Sequence, residues 1–216
     1  MKDANYPPNY KLSDLSDKSL INYFMKKPHT YLRKKYKDFS GDVIEFGCGD
    51  GNNIKYFDFY STYTFTDYQF KLFNEENIQN KNTYKMKFDL SKDSYDQIDN
   101  KYDLFLLFHT LEHIINPHEI LENLYNALKP GGTIELIQPN DPSFLWNLGE
   151  WFGSFKVNTD KKTYYYHNAR EHVNSIKNLD RLIKYYFEDL TIKNIPAALN
   201  ILNLNLFKIY TIRKPK

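Results

Sequence analysis

A short apolar run, Val43-Ile44-Glu45-Phe46, leads directly into Gly47-Cys48-Gly49-Asp50-Gly51 and then into Asn52-Asn53-Ile54. The run suits a buried strand. The glycines suit a turn that bends sharply and lets a ligand approach the backbone without Cβ clashes, and the asparagines read as a helix start. Strand, glycine turn and helix in this order point to an α/β fold with a ligand at the carboxyl edge of its sheet. The spacing also discriminates between ligands. A nicotinamide fingerprint, G-x-G-x-x-G, requires its third glycine at position 52, which is asparagine.

The rest of the chain repeats the pattern. Apolar runs recur at 63–66, 84–88, 102–108 and 133–137, separated by longer segments, of which 117–128 has helical spacing. This alternation predicts βαβ units and a parallel sheet. Near the end, 178–187 reads as a helix, and strand candidates at 190–195 and 206–212 follow in succession, which predicts a terminal antiparallel hairpin. Ser13-Asp14-Leu15 and Thr30-Tyr31-Leu32 read as helix starts, so residues 1–40 are expected to form a helical lid or packing segment ahead of a domain spanning 41–216. Within that domain, 141–172 is rich in aromatic residues with no clear period (Trp146, Trp151, Phe152, Phe155 and Tyr164 to Tyr166) and is expected to cap a substrate.

At 216 residues the chain has room for one sizeable core. A net charge of +2 gives little pull toward nucleic acid, although Lys26, Lys27, Arg33, Lys34, Lys35 and Lys37 cluster. One cysteine, Cys48, excludes an internal disulfide and suits a reducing cytoplasm. No apolar stretch reaches the roughly 18 residues of a membrane span, and the first thirty residues do not resemble a signal peptide. His29, His118 and His167 stand in no motif.

Glu45-x-Gly47-x-Gly49-x-Gly51 resembles the first motif of class I S-adenosylmethionine-dependent methyltransferases. The resemblance continues through Thr66-Asp67-Tyr68, Phe88-Asp89-Leu90, Tyr102-Asp103-Leu104, Leu111-Glu112-His113 and Leu128-Lys129-Pro130-Gly131-Gly132, and so covers about residues 42–140. It implies a Rossmann-like α/β fold: a mostly parallel sheet of about seven strands, a terminal antiparallel hairpin, and helices on both faces. The donor is expected against Gly47, Cys48, Gly49 and Gly51, with Glu45 toward its amino group. Asp67, about 20 residues past the turn, suits the two ribose hydroxyls. Tyr68 is placed to stack on the adenine, Phe108 to face the sulfonium, and, by resemblance, Asp89 and Leu90 to meet the adenine edge.

The segment Phe108-His109-Thr110-Leu111-Glu112-His113 leaves the fourth strand at the carboxyl edge. A helical turn there would put His109, Glu112 and His113 on one face, as a general base or a metal site, or as groups bonded to buried backbone. Ubiquinone-pathway O-methyltransferases and small-RNA 2′-O-methyltransferases resemble this chain in a Glu-His pair, here Glu112-His113, and a later histidine, here His172 in Glu171-His172-Val173. Those families carry glutamate where this chain has His109. The resemblance implies a divalent metal on Glu112, His113 and His172, with His109 as a further ligand. More imidazole and less carboxylate favours manganese, iron or zinc over magnesium. The expected acceptor is a small molecule, a sugar, nucleotide-linked sugar or other vicinal diol methylated on oxygen. RNA ribose methylation and an inactive donor-binding subunit are the alternatives.

Overall fold

The computed structural model describes residues 20–78, 82–148, 166, 169–197 and 204–216. Seven strands form one sheet: β1 (Asp42–Phe46), β2 (Thr62–Asp67), β3 (Thr83–Lys87), β4 (Leu104–Phe108), β5 (Thr133–Pro139), β6 (Leu190–Pro196) and β7 (Asn205–Arg213). Their order is β3-β2-β1-β4-β5-β7-β6. β1 to β5 are parallel, whereas β7 runs antiparallel to both β5 and β6. The chain order reverses between β1 and β4, which makes their carboxyl ends the natural ligand crevice.

Both faces of the central strands are covered, which is why these strands read as unbroken apolar runs. Alternation along β1 and β4 sends Val43, Leu104 and Leu106 to one core, with Leu32 and Tyr36 of the leader. Ile44, Phe46, Phe105 and Leu107 go to the other. Two helices cover that second face, α3 (Pro117–Ala127) and α4 (Ile176–Tyr186). In α3, Pro117 sits at the start, where its missing N–H costs nothing, and Ile120, Leu121 and Leu124 face inward at helical spacing. In α4 the Ser175 hydroxyl accepts from the Asn178 N–H. That cap starts the helix two residues before the expected 178.

Two short helices precede the sheet, α1 (Leu20–Met25) and α2 (Lys27–Lys35). Thr30 lies inside α2 and does not start it; Pro28 occupies the first turn. The other expected start, Ser13-Asp14-Leu15, lies outside the described residues. The connections after β1, β2 and β3 also differ from the helices expected there. Among the described residues they contain only 3₁₀ turns, Asn52–Tyr56, Glu75–Asn77 and Tyr95–Gln97. Their polar side chains bond locally instead: Asn74 accepts from Glu76 N–H and Ser94 from Asp96 N–H, turn chemistry that competes with helix.

α2 is fastened to the sheet by a buried carboxylate. Glu135 of β5 is fully buried, and its Oε2 accepts from Lys35 Nζ at 2.6 Å, Tyr36 OH at 3.0 Å and Thr211 Oγ1 at 2.9 Å. On the opposite face Lys208, 1% exposed, pairs with Asp180 of α4, which also accepts from Tyr210 OH at 3.0 Å. Removing one member of a buried pair leaves an uncompensated charge. Lys35→Met should therefore lower unfolding free energy by about 3 kcal/mol, read from urea titration. A loss under roughly 0.5 kcal/mol, the range of ordinary surface substitutions, would show that α2 is held by apolar packing alone.

Candidate active site

The glycine turn follows β1 and is shaped by close contacts. Gly51 has φ +75°, and a Cβ there would lie 2.5 Å from the Phe73 ring. Gly49 also lies in the left-handed region, at +54°, but a Cβ on it would meet no atom within 4 Å. One glycine is thus required by packing. The other borders open space, as a cradle for a ligand does.

Asp67, at the end of β2, reaches that cradle. Its Oδ2 accepts from Gly49 N–H at 3.2 Å and its Oδ1 from Gln69 N–H at 3.0 Å, while burial raises its pKa. Tyr68 beside it is 58% exposed. Asp89, after β3, accepts from Ser91 N–H at 3.0 Å and pairs with Lys92 at 3.0 Å. Burial works to raise its pKa, but the bonds from Lys92 and Ser91 prevail and lower it. Leu90 and Cys48 are buried, and burial drives the thiol far above its ordinary range.

Glu45 lies beneath the turn. It is fully buried, and its two oxygens accept from Asn53 Nδ2 at 2.6 Å and Tyr63 OH at 2.7 Å. Burial raises its pKa to about 7 against the pull of those two bonds. Asn53 and Tyr63 had no motif to mark them in the sequence.

At the end of β4 the rings form a ladder. His29 of α2 lies between Tyr56 and Phe108, at 4.6 Å from each, and Phe108 stacks on His109 at 4.7 Å. His109 meets Phe207 at 5.4 Å. The strand alternation is broken at His109 by φ +54°, a left-handed backbone that few residues other than glycine adopt, and its ring lies over Phe108. Burial lowers the histidines to about 4 for His29 and about 3 for His109. His118 is a surface residue 3.8 Å from Glu119, and His167 lies outside the described residues.

Beyond His109 the chain makes a 3₁₀ turn, Leu111–His113. Glu112 is buried there, and burial raises its pKa to about 8. Its backbone oxygen accepts from Val173 N–H at 2.9 Å and Asn174 N–H at 3.1 Å, so the segment after 170 is tied to this turn. His113 Nδ1 donates to Glu171 O at 2.9 Å, and His172 Nδ1 bonds Asp141 Oδ2 at 2.7 Å. A carbonyl and a carboxylate only accept, so each Nδ1 carries the proton and each Nε2 is the lone-pair nitrogen. The two rings are 5.1 Å apart, and one potential ligand atom from each of Glu112, His113 and His172 lies within 4.8 Å of the others. His109, expected as a further ligand and on the face of Glu112 and His113, is not in this group, because its left-handed backbone turns the ring toward Phe207. Asp141 gave no signal in the sequence.

A family model described as a methyltransferase domain matches residues 18–185. The chain belongs to that family. No curated protein matches the sequence at a significant level. Among solved structures, the methyltransferase resembles the N-methyltransferase NodS from Bradyrhizobium japonicum WM9 in complex with S-adenosyl-L-homocysteine, at 13% identity and TM-score 0.62, over 93% of this chain and 90% of NodS. The CurJ carbon methyltransferase superposes at 14% identity and TM-score 0.62, over 92% of this chain and 56% of that one. Phosphoethanolamine N-methyltransferase 2 of Haemonchus contortus, in complex with S-adenosyl-L-methionine, gives 12% identity and TM-score 0.61, over 88% and 52%. The chain thus spans about half the length of the latter two. Fold and family agree with a class I S-adenosylmethionine-dependent methyltransferase.

The methyltransferase's open Gly49 and neighbouring Asp67 fit a donor with a ribose diol, since a carboxylate accepts from both hydroxyls. Of the cap expected at 141–172, the described part comprises 141–148, 166 and 169–172; the rest lies outside the described residues. Gly49→Ala should weaken donor binding at least about tenfold while costing the fold roughly 1–2 kcal/mol of backbone strain. Gly51→Ala should cost more stability, because Phe73 must also move. Calorimetry with S-adenosylhomocysteine and urea unfolding of both variants would show it; undiminished affinity in Gly49→Ala would place the ligand elsewhere.

Proposed function

We propose that this methyltransferase methylates a hydroxyl of a small molecule, a sugar, nucleotide-linked sugar or other vicinal diol, with a divalent cation held by Glu112, His113 and His172. The observation that carries this reading is the convergence of one carboxylate and two imidazoles, each imidazole with its Nδ1 bonded outward and its Nε2 carrying the lone pair. That is the tautomer a metal-binding histidine needs, set by hydrogen bonds behind the ligand atom. The donor set suits manganese, iron or zinc better than magnesium. A cation there would lower the pKa of an acceptor hydroxyl.

The chain's own residues then have distinct tasks. The Gly47–Gly51 turn, Asp67, Tyr68, Asp89, Leu90 and Phe108 hold and orient the donor; Glu45, expected toward the donor's amino group, is fully buried with both oxygens bonded to Asn53 and Tyr63, and braces the turn from below. Positioning supplies much of the rate in a displacement of this kind. His109 as general base is disfavoured, because desolvation in its partly buried setting lowers its pKa to about 3, too low to take a hydroxyl proton at neutral pH. The basic leader also offers less to RNA than its sequence implies, since Lys35 is committed to Glu135 and Arg33 to Asp58.

Transfer of tritium from labelled donor into a panel of sugars, nucleotide-linked sugars and catechols should depend on metal. Exhaustive chelation and His172→Ala should each lower it by roughly 100-fold, with manganese, iron or zinc restoring the chelated enzyme. Full turnover in chelator, or a fully active His172→Ala, would eliminate the metal. Asp67→Ala should weaken donor affinity by about 1–3 kcal/mol, since it removes the acceptors for two hydroxyls; an unchanged dissociation constant in the folded variant would reject that role.

A further inference from the structure

The carboxyl end of β5 carries a polar side chain that none of the roles above uses. Gln138 is fully buried, and neither its amide nitrogen nor its oxygen has a hydrogen-bond partner among the described residues. Burying an unmatched amide costs stability, and native chains leave few such groups. Asn140, two residues on, shows that the local backbone can satisfy an amide: its Nδ2 donates to Asn205 O at 2.9 Å.

The position of Gln138 says what its amide is aimed at. Glu135 faces α2 and Leu136 faces the core under α3 and α4, so alternation puts Gln138 on the α3/α4 side. Its register partner in β7 is Lys208, whose ammonium is engaged by Asp180. On the other side it follows Ile137, which is paired with Phe108 and accepts from His109 N–H. Three residues later Asp141 holds His172. The turn that carries Glu112 contributes Leu111 to the same core, and Glu112 Oε2 is likewise buried and unpartnered. Glu112 Oε2 and the two amide atoms of Gln138 are thus buried without partners among the described residues, in the segments that end β4 and β5.

We propose that Gln138 is the acceptor-recognition residue, its N–H donating to one hydroxyl of a vicinal diol and its Oε1 accepting from the neighbouring hydroxyl. This rests on the hydroxyl-acceptor reading above. A primary amide presents a donor and an acceptor side by side. A phosphate or carboxylate would satisfy only the donor, and an ammonium only the acceptor, whereas adjacent hydroxyls satisfy both. A site built this way rejects an analogue that lacks one hydroxyl, because the buried amide is again left unmatched.

Thermal unfolding of the S-adenosylhomocysteine-loaded protein and of its Gln138→Met variant tests this without turnover. Methionine keeps the length of glutamine and removes the unmatched dipole, so the variant alone should melt higher, by about 2–4 °C. A diol from the panel of sugars, nucleotide-linked sugars and catechols should raise the melting temperature of the wild type and not of the variant, and its monodeoxy analogue should raise neither. S-adenosylhomocysteine affinity should be the same in both. A variant that melts lower, a compound that shifts both proteins equally, or a panel in which nothing shifts the wild type would each overturn the assignment. Loss of the metal requirement would instead strike the cation at Glu112, His113 and His172 and leave this binding result readable.

Discussion

A carboxylate sealed under the glycine turn holds β1, β2 and that turn together. Glu45 belongs to β1, Tyr63 to β2 and Asn53 to the turn that follows the glycines, so its two hydrogen bonds join three separate pieces of chain at one buried point. Asn53 also reaches His29, which brings α2 into the same arrangement. The stack from Tyr56 through His29 and Phe108 to His109 then runs from the donor turn to the end of β4. A buried carboxyl is costly unless its oxygens are matched, and here both are. The turn that presents open space at Gly49 is for that reason a fixed surface.

The end of β4 is governed by a different use of burial. Desolvation lowers the pKa of His29 and His109 and keeps them neutral, whereas His113 and His172 have their tautomers fixed by oxygens behind them. Four imidazoles within one end of a sheet thus divide into two that pack and two that present a lone pair. The division follows backbone geometry. The left-handed φ of His109 sends its ring over Phe108, and the 3₁₀ turn sends Glu112 and His113 the other way.

Much of this was legible in the sequence. The strands stand where apolar runs put them, because residues covered on both sides must be apolar along their whole length. The terminal hairpin followed from two runs with no helix between them. The short connections were misread as helices because a helical pattern and a polar turn look alike when Asn, Asp and Ser bond to their own backbone, as at Asn74 and Ser94. Glu112, His113 and His172 were marked by resemblance, and spacing alone would not have joined residues so far apart. Asn53, Asp141 and Gln138 carry no motif. Their significance lies in which atoms surround them, and only three dimensions supply that. His109 was misplaced because no pattern of residue types announces a positive φ at a histidine.

The bonds from Val173, Asn174 and His113 that join the 3₁₀ turn to the segment after 170 also have a mechanical meaning. They tie together two points of the chain 58 residues apart, so the turn that carries Glu112 and His113 and the segment that carries His172 hold one another in place. A change that displaces either of them therefore shifts Glu112, His113 and His172 together.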